Sequence, residues 1–218
     1  MKTNRTIFIA LLLMSFSFIA AAQEKAATTY SDAPGPRIGI IGGLNIATII
    51  KTDDPNFSST PLYGFNAGGL LQLPLGSVIT LQPEVLYSQK GYRAKGNDGL
   101  TGYDYRRKLN CLDIPLLVKI NFSKEFGIVG GPQYSYLLST ETTFTNGSAT
   151  YMQDVKNDND NIRKNTFGGV LGLDLNLDNN FFLYGRYTID FKNNNGDGTS
   201  STPAYKNQVF QVGIGILL

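Results

Sequence analysis

From residue 37 to the C-terminus the chain alternates between apolar and polar positions with period two, and no long segment holds a period of 3.6. Eight segments show it: 37–48, 62–75, 78–89, 106–120, 126–138, 166–177, 181–191 and 208–218. In the third, Ile79, Leu81, Val85 and Tyr87 share one face, and Thr80, Gln82, Glu84 and Ser88 share the other. In the sixth, Leu171, Leu173, Leu175 and Leu177 oppose Gly172, Asp174 and Asn176. Each segment is predicted to be a strand with one apolar and one polar face. The connections 76–78, 121–125 and 178–180 are tight, whereas 49–60, 90–102, 139–165 and 192–206 are long and polar. Alternating short and long connections between ten-residue amphipathic strands predict an eight-stranded antiparallel up-and-down transmembrane β-barrel. The short turns then form the periplasmic rim, shared by both termini, and the long loops are extracellular.

The tight turns predict pairings of Leu75 with Ile79, Ile120 with Phe126, and Leu177 with Phe181, all on the apolar face. Aromatics on that face collect near strand ends. Phe65, Tyr87, Tyr134, Tyr136, Phe167, Tyr187, Phe191 and Phe210 fall toward the long loops, and Phe126 and Phe181 toward the short turns. Two interfacial girdles are the expected result. In the third to eighth strands the apolar face carries no charge, as lipid contact requires: Lys or Arg there costs about 2–4 kcal/mol at mid-depth.

The polar face carries Glu84, Asp113, Lys119, Asp174, Arg186 and Asp190. Eight strands enclose a lumen that side chains can fill, so these six are expected to meet in a packed polar plug. The predicted registers set Asp174 diagonally across from Arg186 and Asp113 opposite Gln133. A narrow ion path through Glu84, Lys119 and Arg186 is the sharper alternative. A soluble lipocalin-like barrel is another, with the apolar faces turned inward around a ligand.

Residues 1–22 have the form of a secretory signal: Lys2 and Arg5, an apolar run from Ile7 to Ile19, then Ala20-Ala21-Ala22. Cleavage near Ala22 would leave a small, polar leader at 23–36 and the barrel at 37–218. Of 19 Lys plus Arg and 17 Asp plus Glu, loss of Lys2 and Arg5 leaves 17 of each. A neutral mature chain offers no electrostatic basis for binding nucleic acid. The chain has no histidine, which removes the usual general base and the commonest metal ligand. No enzymatic activity, metal or cofactor is expected. The single cysteine, Cys111, is read as a packing residue.

Other motifs fail on their own terms. The run 193–198 resembles a calcium loop, but the position of the closing Glu is Ala204. The run 157–161 reads as solvated surface. Gly130-Gly131 and Gly168-Gly169 lack the Lys-Ser/Thr of a phosphate loop. The triplets at Asn56, Asn121 and Asn146 match glycosylation acceptors, a match without meaning in a bacterial outer membrane.

Gly42-Gly43-Leu44-Asn45, the run Leu81-Gln82-Pro83-Glu84-Val85-Leu86-Tyr87-Ser88 and Leu112-Asp113-Ile114-Pro115-Leu116-Leu117-Val118-Lys119 resemble the outer-membrane β-barrel domain of PorT-like proteins. Gly130-Gly131-Pro132 and Gly185-Arg186-Tyr187 fit the same pattern. The chain departs from it by ending Ile216-Leu217-Leu218, without the aromatic that barrel assembly recognises. The resemblance implies the fold and an address in the outer membrane. The expected partners are outer-membrane lipid, the barrel-assembly machinery, and an extracellular ligand or envelope protein met by the loops of a monomer.

Overall fold

A computed structural model describes residues 35–51, 59–97, 102–146, 149–155, 163–195 and 204–218. The strands are β1 (Arg37–Lys51), β2 (Ser59–Thr60), β3 (Leu62–Pro74), β4 (Ile79–Asn97), β5 (Gly102–Asn121), β6 (Phe126–Asn146), β7 (Ala149–Val155), β8 (Asn165–Asn176), β9 (Phe181–Asp190) and β10 (Tyr205–Leu217). Eight of them close a ring in the order β1–β3–β4–β5–β6–β8–β9–β10, and β10 returns to β1. All neighbours are antiparallel. Closure leaves no strand edge along this ring, which is what lets a sheet exist in lipid.

The facing follows the sequence pattern. Ile38, Ile40, Leu44, Val85, Leu116, Leu171, Leu173, Val212 and Ile214 point outward and are exposed. Asn45, Asn66, Gln82, Glu84, Ser88, Asp113, Asp174 and Gln211 are buried in the lumen. Apolar side chains outside and polar ones inside fit lipid as the surrounding medium. They are the reverse of a lipocalin-like barrel, so the soluble alternative is overturned. Outer aromatics pair across strands near the extracellular end: Phe65 with Tyr87, Tyr134 with Phe167, and Tyr187 with Phe210, at centroid separations of 5.5, 5.3 and 4.9 Å. At the other end Phe122 and Phe126 lie 6.2 Å apart.

Two of the three predicted turn registers hold. Pro74 pairs with Thr80, and Asn176 with Phe182, which places Leu75 with Ile79 and Leu177 with Phe181. The β5–β6 register differs by two residues: Ile120 faces Ile128, so Asp113 lies opposite Ser135 and Pro115 opposite Gln133. The Phe122 amide closes this hairpin on the Phe126 carbonyl at 3.0 Å, and the Ser123 hydroxyl accepts the Phe126 amide at 3.1 Å. A two-residue shift preserves every facing, because the side-chain period of a strand is two.

The long connections are more ordered than a polar sequence suggests. Most of 90–102 is strand: β4 and β5 stay paired from Lys90↔Leu109 to Asn97↔Gly102. Beyond a register shift at Asn110/Cys111, β6 runs on to Asn146 and turns back into β7. β2 adds to β4. Above the ring these strands form a sheet of order β2–β4–β5–β6–β7. On its outer face Gln89 donates to Asn110 at 3.2 Å, and Asn110 donates to Ser139 and Glu141, both at 2.9 Å. With Lys108 3.5 Å from Glu141, these polar groups mark where the lipid-facing surface ends. The leader up to residue 34, Asn56, the 157–161 run and residues 196–198 lie outside the described residues.

Candidate functional site

The lumen holds the densest chemistry in the molecule. Strand alternation delivers every second residue of β4, β5, β6, β8 and β9 to it, and closure brings together strands that are not neighbours. Arg186 on β9 reaches across to Glu84 on β4, with Nη1 to Oε2 at 2.7 Å. Its other terminal nitrogen lies 3.8 Å from Asp174, the diagonal neighbour that strand pairing predicts. Asp174 also lies 3.3 Å from the Lys119 amine, which donates to Asn176 at 3.1 Å. A Gln72-to-Gln82-to-Glu84 relay, at 2.9 and 2.7 Å, saturates the other side of Glu84. Aromatic rings line the same cluster: the Arg186 guanidinium sits 4.7 Å from the Tyr184 ring and the Lys119 amine 5.5 Å from that of Phe182. Phe182 is fully enclosed, and its ring lies against the bare Cα of Gly215.

A second cluster lies toward the extracellular end. Lys90 Nζ is 2.9 Å from Asp113 and donates to Ser135 at 3.0 Å. Asp190 accepts from Asn207 at 2.8 Å. Between the two ionic clusters runs an amide network. Asn66 donates to Asn45 at 2.6 Å, the Tyr184 hydroxyl donates to Asn66 at 2.6 Å, Asn45 donates to Ser88 at 3.0 Å and Gln211 to Asn45 at 3.1 Å.

All six residues singled out from the sequence are therefore in the lumen, in two groups: Glu84, Lys119, Asp174 and Arg186 in one, Asp113 and Asp190 in the other. Lys90, the cation of the second group, is absent from that set because its position reads as the start of a polar loop. Its signal is parity: Lys90 continues the even-numbered luminal series of Gln82, Glu84, Leu86 and Ser88.

Above Lys90 a cavity of about 30 Å³ is bounded by Ser135, Arg163, Asp190, Asn194 and Asn207, space for one or two waters. A backbone strap closes it from outside. Arg163 donates from Nε to the Asn193 carbonyl at 3.0 Å, and its amide donates to the Asn194 carbonyl at 2.6 Å. Asn194 in turn is bound to the Tyr205 backbone at 2.8 and 2.9 Å. Among the described residues, no group of three or more acids and cysteines is arranged to hold a metal.

The profile of the outer membrane protein beta-barrel domain matches residues 22–196, most of the chain. The chain belongs to that family. Membership gives it an outer-membrane address. None of the curated protein sequences matches it. Among solved structures it is similar to Ail, the attachment invasion locus protein of Yersinia pestis (13% identity, 85% of this chain and 100% of that one, TM-score 0.49). It is also similar to OprG from Pseudomonas aeruginosa (14%, 84% and 96%, TM-score 0.42) and to the protease OmpT from Escherichia coli (10%, 88% and 100%, TM-score 0.45).

Proposed function

We propose that this is a non-enzymatic, monomeric outer-membrane barrel that works through its extracellular sheet and not through its lumen. The observation that carries this reading is the contrast between the two. The lumen is packed across its width by ion pairs, amides and enclosed side chains such as Gln82, Leu117, Val129 and Phe182. Three ring strands, β4, β5 and β6, are drawn on into a sheet that rises past the lipid-facing surface, and β2 and β7 complete it. Order in such a sheet costs about 1–2 kcal/mol of backbone entropy per residue, a cost that a passive loop does not carry. The sheet presents Tyr151, which is exposed, and is suited to contact with an extracellular ligand or an envelope protein. The chain reaches its place by export with cleavage near Ala22, followed by insertion through the barrel-assembly machinery. The PorT-like motifs support a relationship to that group.

Two measurements test this. Folded protein in planar bilayers is expected to show no steady conductance, and a reproducible open level would instead assign the function to the lumen. Replacing 142–154 by a short turn is expected to leave heat-modifiable mobility intact and to abolish surface contacts of cells that carry the protein. An unchanged binding and envelope phenotype would remove the basis for a contact role.

A further inference from the structure

Each luminal cation within the membrane has a carboxylate: Lys90 has Asp113, Lys119 has Asp174, and Arg186 has Glu84 and Asp174. Arg107, on the same side of β5 but above that level, does not. Among the described residues no carboxylate lies within ion-pair distance of it. It is surrounded by phenols instead. Tyr92 stands directly opposite on β4. Tyr105 is one inward position along β5, and Tyr205 opens β10 on the other side of the mouth.

The rings are fixed. Tyr92 packs edge-on to Tyr205 at 5.1 Å and tilted to Tyr105 at 5.9 Å, with Ile49 and Ala94 behind them. The Asn194 strap holds the Tyr205 backbone. Gly91 makes room for the Arg107 backbone: with φ of 127°, it occupies a conformation other residues rarely adopt, and a Cβ there would lie 2.0 Å from the Arg107 carbonyl. Within this cluster two polar atoms are buried without a hydrogen-bond partner, Arg107 Nε and the Tyr205 hydroxyl, and Tyr205 is only 3% exposed. A buried donor without a partner costs about 1–3 kcal/mol. A half-buried guanidinium with an unused Nε–H is an empty half of the two-pronged fork that grips a carboxylate or sulfate.

We infer that Arg107, Tyr92, Tyr105 and Tyr205 form an oxyanion-binding site at the extracellular mouth, which takes an acidic group carried on a sugar ring. The guanidinium grips the oxyanion, the Tyr205 hydroxyl donates to it, and the exposed part of Tyr105 offers a face against which the ring stacks. The site goes beyond the role proposed for the extracellular sheet, and it is held by that sheet's backbone, where Thr142 and Phe144 pair with Arg107 and Tyr105.

The test is calorimetric titration of the full folded chain in detergent with sodium glucuronate, sodium sulfate and glucose. Glucuronate is expected to bind saturably and glucose not at all. Weaker binding of sulfate supports the ring contribution, and equal binding assigns the site to the free oxyanion. Arg107→Gln is expected to lower glucuronate affinity at least tenfold, and Tyr205→Phe severalfold. Arg106→Gln removes the same charge from the exposed outer face one residue away and is expected to leave affinity unchanged. If Arg107→Gln does not fold, Arg107→Lys keeps the charge without the fork and is expected to lose at least fivefold. Absence of saturable glucuronate and sulfate binding on folded wild-type protein, or equal losses from the Arg106 and Arg107 variants, would overturn the assignment. Tyr151→Ser, on exposed β7 and outside the site, is expected to weaken the surface contacts and to keep glucuronate binding, so the site and the contact role of the sheet fail separately.

Discussion

Arg186→Met is the sharpest test of the luminal account, because a single side chain ties β4, β8 and β9 together. Methionine nearly fills the space of the alkyl stem, so the cavity cost is small and the change is mainly electrostatic. It removes the 2.7 Å contact to Glu84 and the 3.8 Å contact to Asp174. Glu84, 1% exposed, is left with the Gln82 amide alone, and Asp174 keeps Lys119 at 3.3 Å. An uncompensated buried carboxylate makes the loss of one partner cost about 3–5 kcal/mol. Neutralising that carboxylate as well should recover most of it, since a buried ion pair replaced by neutral groups of similar shape is often close to neutral in stability. The double variant Glu84→Gln/Arg186→Met is therefore expected to be more stable than Arg186→Met alone, with a coupling energy of about 2 kcal/mol or more. The assay is urea unfolding in lipid vesicles, following the folded fraction by the mobility of unboiled samples and by circular dichroism. A cost below about 1 kcal/mol for Arg186→Met, or strict additivity of the two changes, would refute the reasoning and show that water already compensates Glu84.

Three further outcomes follow from the same geometry. Leu171→Arg sets a charge on the lipid face and is expected to cost about 2–4 kcal/mol in vesicles, read by the same urea titration; a cost near zero would mean that this face does not meet lipid. Gly215→Ala directs a methyl into the enclosed Phe182 ring, whose nearest atom lies 2.1 Å from the new carbon. An overpacking cost of about 1–3 kcal/mol is expected, and a heat-modifiability midpoint equal to wild type would show that the ring can move. Asp178 lies in the short turn between β8 and β9, where its carboxylate accepts the Asn180 and Phe181 amides, both at 2.7 Å; these bonds hold its pKa below the usual value. A depressed folded-state pKa gives stabilisation that is complete above about pH 4 and is lost as pH falls through the folded value. Wild type is therefore expected to lose stability relative to Asp178→Asn across that acid range, and parallel pH profiles would contradict the turn's dependence on the charge.

The predicted chain of strands and turns is present in the structure because lipid and a packed lumen impose opposite demands on alternate residues. Where both demands act, as along 79–88 and 167–177, periodicity locates the strands and their facing. Where only water is outside, the demand disappears. Lys90 to Asn97, Gly102 to Tyr105 and Thr140 to Asn146 have no apolar residue on the outer face and are not read as strands, yet backbone pairing with the neighbouring strand continues through them. Lys90 was lost to the site for that reason.

The sequence by itself determined the number of ring strands, the outward apolar face and six of the ionisable groups that stand on the inward one. These are local properties, set by period two and by turn length. It did not determine the β5–β6 register, because a two-residue shift leaves the pattern unaltered. Nor did it determine the partners across the lumen. Arg186 with Glu84 joins β9 to β4, and Tyr205 with Tyr92 joins β10 to β4. These strands are not ladder neighbours, so the pairs exist only once the sheet closes on itself. Only that closure decided that Arg107 would stand among phenols and without a carboxylate.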